Sequence, residues 1–109
     1  AVLDADFHMA IIEASHNVVM LHMMRSMYDL LRQGVFYNRQ AVFLDRDIRE
    51  CLLDQHRQIS AAIQRRDPAA ARAAVAQHMD YVARTTQDRI KAARNEDTAR
   101  RRLQQELSR

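Results

Sequence analysis

Apolar residues recur along this chain at three- and four-residue intervals, the spacing that gathers side chains on one face of an α-helix. The first such segment, about Leu3 to Ser15, carries Phe7, Ile11, Ile12 and Ala14, and no clear capping residue precedes its first turn. Asn17 is expected to end it, because Asn tolerates the left-handed conformation of a helix stop. A second helix is predicted from about Val18 to Val42, where Met20, Met23, Met24, Met27, Leu30 and Leu31 form a stripe that reads as core. Gly34 would kink this helix or mark a close approach, and Phe43 to Asp47 reads as a connection. The third helix, about Ile48 to Arg66, turns Leu52, Ile59 and Ile63 inward, with Leu53 and His56 flanking them. Asp67-Pro68 is the firmest boundary: the Asp can cap a new helix, and proline in a first turn loses no hydrogen bond. The fourth helix begins there, and Ala69, Ala70, Ala71, Ala73, Ala74 and Ala76 permit a neighbour to come close. Beyond about Thr86 the apolar positions thin to Ile90, Ala92, Ala93 and Leu103. Residues 86–109 are therefore expected as a charged helical tail that frays, crosses to a partner chain or forms a separate helix after Asn95.

Composition supports the helical reading. With one Gly and one Pro in 109 residues there is too little turn chemistry for a sheet, and 48% hydrophobic content suffices for one small core. The expected fold class is all-α, an antiparallel helical bundle. A single cysteine, Cys51, excludes an internal disulfide and fits an intracellular buried thiol. There is no run of 18 apolar residues and no leader-like segment, so the expectation is a soluble, cytoplasmic protein with no membrane partner. The chain opens on Ala1 instead of Met, so something upstream is expected to be missing, and the uncapped first helix suggests that preceding helices were lost. The net charge of +3 is uneven: residues 81–109 hold eight Arg or Lys against four Asp or Glu, whereas residues 1–80 hold nine against ten. The basic residues of the tail alternate with Asp88, Glu96, Asp97 and Glu106, the pattern of a solvated helix end. No zinc finger, helix-turn-helix or aromatic RNA-binding signature accompanies them.

Four residues stand out as potential metal ligands. Asp4 and His8 lie four apart, so on a helix both emerge from one face. His56 lies eleven residues before Asp67 and His78 eleven after it. If Asp67 sits at the bend between two antiparallel helices, both imidazoles stand at the same height, about 16 Å from it at about 1.5 Å per residue. Three imidazoles and a carboxylate suit a divalent transition metal, zinc foremost, with nickel, iron or manganese as the others. His16 and His22 fall outside this pattern, and Tyr37 and Arg39 fit the surface at least as well as a cavity. Enzyme readings are weaker. Glu13 and His16 form a single Glu-x-x-His element, whereas a di-iron bundle needs two, and no general base is spaced to serve a zinc hydrolase. Nothing around Cys51 marks an activated nucleophile. A metal-free helical interaction module is the alternative from a different class.

The runs Asp4-Ala5-Asp6-Phe7-His8, Glu13-Ala14-Ser15-His16-Asn17, Asp54-Gln55-His56-Arg57-Gln58-Ile59 with Ala62-Ile63, Asp67-Pro68-Ala69-Ala70-Ala71, and finally His78, carry a family likeness in their order and spacing. Over about residues 2 to 85 the chain resembles the FCD ligand-binding domain of GntR-type transcriptional regulators of the FadR subfamily. Residues 14–21 and 95–103 look most like the branch that senses lactate, pyruvate or glycolate. The resemblance implies a regulator, not an enzyme, with metal held by Asp4, His8, His56 and His78. It also implies a small carboxylate effector, a 2-hydroxy or 2-keto acid, beside the metal, and a homodimer that grips operator DNA through an N-terminal winged helix. Neither that winged helix nor the opening helices of the domain can be found in this sequence. On this reading residues 1–85 are the metal- and effector-binding part of a truncated domain, and residues 86–109 its tail.

Overall fold

The computed structural model describes residues 2–33 and 45–109. These contain four helices and, among the described residues, no strand: α1 (Val2–Ala14), α2 (Val18–Gln33), α3 (Arg46–Gln64) and α4 (Pro68–Leu107). The all-α expectation is met. The chain divides into two compact units, Ala1–Ala41 and Val42–Arg109.

In the first unit α1 and α2 form a hairpin. The residue that takes the left-handed conformation is His16, with φ 56°, and not Asn17 as expected. Asn17 instead opens α2: its Oδ1 accepts from the Met20 N–H at 3.0 Å, which satisfies one of the donors that a helix start leaves without a partner. Ser15 Oγ accepts from the Asn17 N–H and donates to the Ile12 carbonyl, so both sides of the bend are held by local bonds. Farther along, the Tyr28 hydroxyl donates to the Asp6 carboxylate and ties α2 to α1. That bond comes first, ahead of burial, among the causes that raise the Tyr28 phenol pKa above its ordinary value.

α1 buries Ala5 and Met9. The methionine stripe of α2, expected as core, is only partly buried among the described residues. Met20, Met23 and Leu30 are each more than two-fifths exposed, while the partly buried positions are Leu21, Met24, Met27 and Tyr28. α2 carries apolar residues on more than one face, and only some of them are partly buried. The Gly34 position, Tyr37, Arg39 and the rest of the predicted second helix lie outside the described residues.

In the second unit Asp45 is already the cap of α3, so the helix starts ahead of the expected Ile48. Its side chain accepts from the N–H groups of Asp47 and Ile48. The helix ends with Arg66 at φ 56° and the Asp67 N–H donating to the Ala62 carbonyl, a bond that closes the last turn. Asp67 Oδ1 then accepts from the Ala70 N–H, with Pro68 in the first turn of α4, as the sequence predicts. Both bends thus share one device, a left-handed residue followed by an Asn or Asp that caps the next helix.

α3 and α4 run antiparallel. Asp45 pairs with Arg89 at 3.1 Å near the open end, and His56 meets His78 nearer the turn. α3 buries Leu52, Gln55, Ile59 and Ala62, a three-four-three spacing. Ile63, expected inward, is 43% exposed, and its place in the core belongs to Ala62. The small side chain suits the alanine-rich start of α4, where Ala61, Ala62, Ala70, Ala73 and Ala74 help line an open groove of about 380 Å³.

α4 continues without a break through Asn95 to Leu107, which removes the possibility of a separate helix after Asn95. Every side chain from Lys91 onward is exposed. Ion pairs one turn apart, Arg100 with Glu96 and Arg101 with Asp97, support this stretch by their i,i+4 geometry. No described helix is long and apolar enough to cross a membrane.

Candidate metal centre

The four residues singled out by spacing fall into two pairs, one in each unit. On α1 the Asp4 Oδ1 and His8 Nε2 atoms lie 3.6 Å apart, both side chains partly exposed, in the i,i+4 relation expected of them. In the second unit His56 Nε2 and His78 Nε2 approach to 3.2 Å, with the rings edge to face and their centres 4.7 Å apart. His78 is the more deeply placed, 3% exposed, and is the buried residue of α4.

Two neutral imidazoles with facing Nε2 atoms have one of two uses. They can share a proton, or they can both turn lone pairs on a cation. A metal at about 2.0 to 2.1 Å from each nitrogen would subtend an angle of about 100° at a separation of 3.2 Å. The Asp4–His8 separation corresponds to about 120° at similar bond lengths. Both fall in the range of tetrahedral or related coordination. The donor set also fits, since imidazole nitrogen and carboxylate oxygen are ligands that zinc and its first-row neighbours accept.

The structure adds a residue that the sequence reading passed over. Gln55 is 7% exposed on the apolar stripe of α3, and its Oε1 lies 2.7 Å from His78 Nδ1. Its amide Nε2 donates to Cys51 Sγ at 3.5 Å. Tyr81, on α4, also interacts with that thiol. Burial first, then its hydrogen bond to Cys51, push its phenol pKa up. A polar line thus runs from His78 through Gln55 and Cys51 to Tyr81 within the α3–α4 contact. The available signal was the polarity of Gln55 itself, between Leu52 and Ile59 at core spacing.

His16 and His22 are both exposed. His16 serves the bend, and neither is among the paired residues.

The FCD domain model matches residues 1–81. The chain belongs to the FCD domain family. Its GntR/FadR-type relatives include the putative L-lactate dehydrogenase operon regulatory proteins of Escherichia coli (strain K12) and Shigella flexneri, each 39% identical over 97 residues. These matches cover 89% of this chain and 36% of each relative. The Uxu operon transcriptional regulator of Escherichia coli (strain K12) is 32% identical over 80 residues, covering 72% of this chain and 31% of that protein. The FCD chain thus spans about a third of the length of the curated relatives it matches. The relatives are named as regulators and not as enzymes, in keeping with the reading of the sequence. No solved structure matches the chain significantly.

Proposed function

We propose that this FCD chain is the effector-sensing part of a GntR-type transcriptional regulator, and that a divalent metal held by Asp4, His8, His56 and His78 forms the floor of its effector site. The observation that carries the reading is the meeting of His56 and His78 through their Nε2 atoms, backed by Gln55. The imidazoles come from two helices that run back from the Arg65–Asp67 bend, and two Nε2 atoms at this separation can face a shared cation.

Zinc is the first choice, with nickel, iron or manganese as the others, and the metal would supply open positions for oxygen ligands. A small carboxylate bearing a neighbouring hydroxyl or keto oxygen can occupy two such positions. Lactate, pyruvate and glycolate have this form. The name of the L-lactate dehydrogenase operon relatives favours lactate or a close analogue for this chain.

The four side chains belong to α1, α3 and α4. An effector that binds one packing of these helices better than another shifts the population toward it, by no more than its difference in affinity. The output is operator binding by a winged helix outside this chain, in a homodimer. Elemental analysis of the purified chain is expected to give about one metal per chain, lost in a His56→Ala, His78→Ala double variant. Titration with lactate, pyruvate and glycolate should then give heat with the metal-loaded protein and none with the stripped one. A metal content unchanged in the double variant would reject this assignment.

A further inference from the structure

We infer that Gln55 is a positioning residue: its side-chain carbonyl holds His78 in the Nδ1–H tautomer and so presents His78 Nε2 as the ligating nitrogen. The inference rests on the metal-centre reading above, but its first half concerns the chain without metal.

A carbonyl oxygen accepts hydrogen bonds and cannot donate them, so at 2.7 Å the proton of this contact must sit on His78 Nδ1. A neutral imidazole with its proton on Nδ1 carries its lone pair on Nε2, the atom that faces His56. The opposite tautomer would set two lone pairs against each other at the Gln55 contact. It would also place a proton on the nitrogen that has to bind. Cys51 favours this direction of the Gln55 amide. Because the amide nitrogen donates to Cys51 Sγ, the oxygen is left to point at His78.

Burial makes the arrangement consequential. Gln55 and His78 are 7% and 3% exposed, so water competes little for either partner. The hydrogen bond also raises the electron density available at the opposite ring nitrogen, the general effect of an outer partner on a ligating histidine, whose loss costs about 10- to 100-fold in metal affinity. Cys51 holds the amide only through a weak sulfur acceptor, so it matters less than Gln55 itself.

The test compares the chain with its Gln55→Leu, Gln55→Glu and His78→Ala variants. Long-range ¹⁵N–¹H correlation spectra of the metal-free protein report the His78 tautomer directly. The Nδ1–H form is expected in the native chain and in Gln55→Glu, and loss of that preference in Gln55→Leu. Zinc affinity, measured against a chromophoric chelator, should fall about 10- to 100-fold in Gln55→Leu and be retained in Gln55→Glu, since a carboxylate accepts the same bond. A purely structural role for Gln55 predicts the reverse for the charged variant, because a buried carboxylate disturbs packing more than leucine does. An Nε2–H tautomer in the native chain, or zinc affinity in Gln55→Leu within threefold of native while His78→Ala loses binding, would overturn the inference and leave the metal centre standing. Zinc binding unaffected by His78→Ala would remove the metal-centre reading, and this inference with it.

Discussion

His78 and Gln55 meet as two buried polar side chains between α3 and α4, with His78 Nδ1 2.7 Å from Gln55 Oε1. The pairings of Asp4 with His8 and of His56 with His78 were legible because their spacing follows helix geometry, four residues on one face and equal distances from a bend. The pairing of His56 with His78 follows from that arithmetic. Gln55 was not legible as a partner of His78, since a polar residue on an apolar stripe gives no hint of what it will face across the contact. Ile63 failed for a related reason: Ala62 and Ile63 are neighbours, and only the close approach of the alanine-rich α4 decides that the smaller one goes inside. At this scale two substitutions discriminate. Ile59, 1% exposed, anchors the α3–α4 contact, and Ile59→Ala is expected to lower unfolding stability by about 2 to 4 kcal/mol in urea titrations. Arg66 holds a left-handed conformation that costs a residue with a Cβ about 1 to 2 kcal/mol. Arg66→Gly should therefore stabilise the second unit, by up to about 1 kcal/mol once the greater freedom of glycine in the unfolded chain is counted.

Among the elements, the helix boundaries were best announced where a cap is unambiguous. Asp67-Pro68 allows little other than a helix start, and Asp67→Ala should cost about 1 kcal/mol by removing the bond to the Ala70 N–H. Asn17 is a less decisive signal, because Asn serves at both ends of helices. Its pattern predicts a stop, while its side chain performs a start and leaves the left-handed turn to His16. The distal part of α4 went the other way. Its apolar residues are too sparse to pack, which suggested a break, yet pairs such as Arg101 with Asp97 and a lack of Gly or Pro let the helix run on. Because that stretch buries nothing, deleting residues 91–109 should leave the urea stability of the α3–α4 contact within about 0.5 kcal/mol of the native value. A larger loss would mean that the distal helix is tied to something after all.

At the scale of the whole molecule, two described phenols are raised, Tyr28 in the first unit and Tyr81 in the second. A phenol whose pKa is higher folded than unfolded contributes stability that is present below the unfolded value and lost as pH rises through the folded one. The melting temperature should accordingly decline as pH climbs beyond about 10, the ordinary tyrosine value. A Tyr28→Phe, Tyr81→Phe double variant should show a shallower decline over the same range. Large apolar side chains also remain uncovered, among them Val19, Met23 and Ile90, which are 71%, 55% and 49% exposed. Such surface favours association. Sedimentation velocity should show weight-average mass rising with concentration, and a strictly monomeric chain at every concentration would count against the proposed homodimer.

The antiparallel register of α3 and α4 also decides where this chain can change length. His56 and His78 are 22 residues apart, and each is positioned by its own helix, with the Arg65–Asp67 bend only closing the path between them. An extra residue in the bend can bulge outward and leave both helices seated. The same insertion inside α4 between Pro68 and His78 turns the imidazole by about 100° and advances it by about 1.5 Å, out of reach of His56 and Gln55 alike. Insertions and deletions should therefore be tolerated at the bend and excluded from the ten or so residues on either side of it.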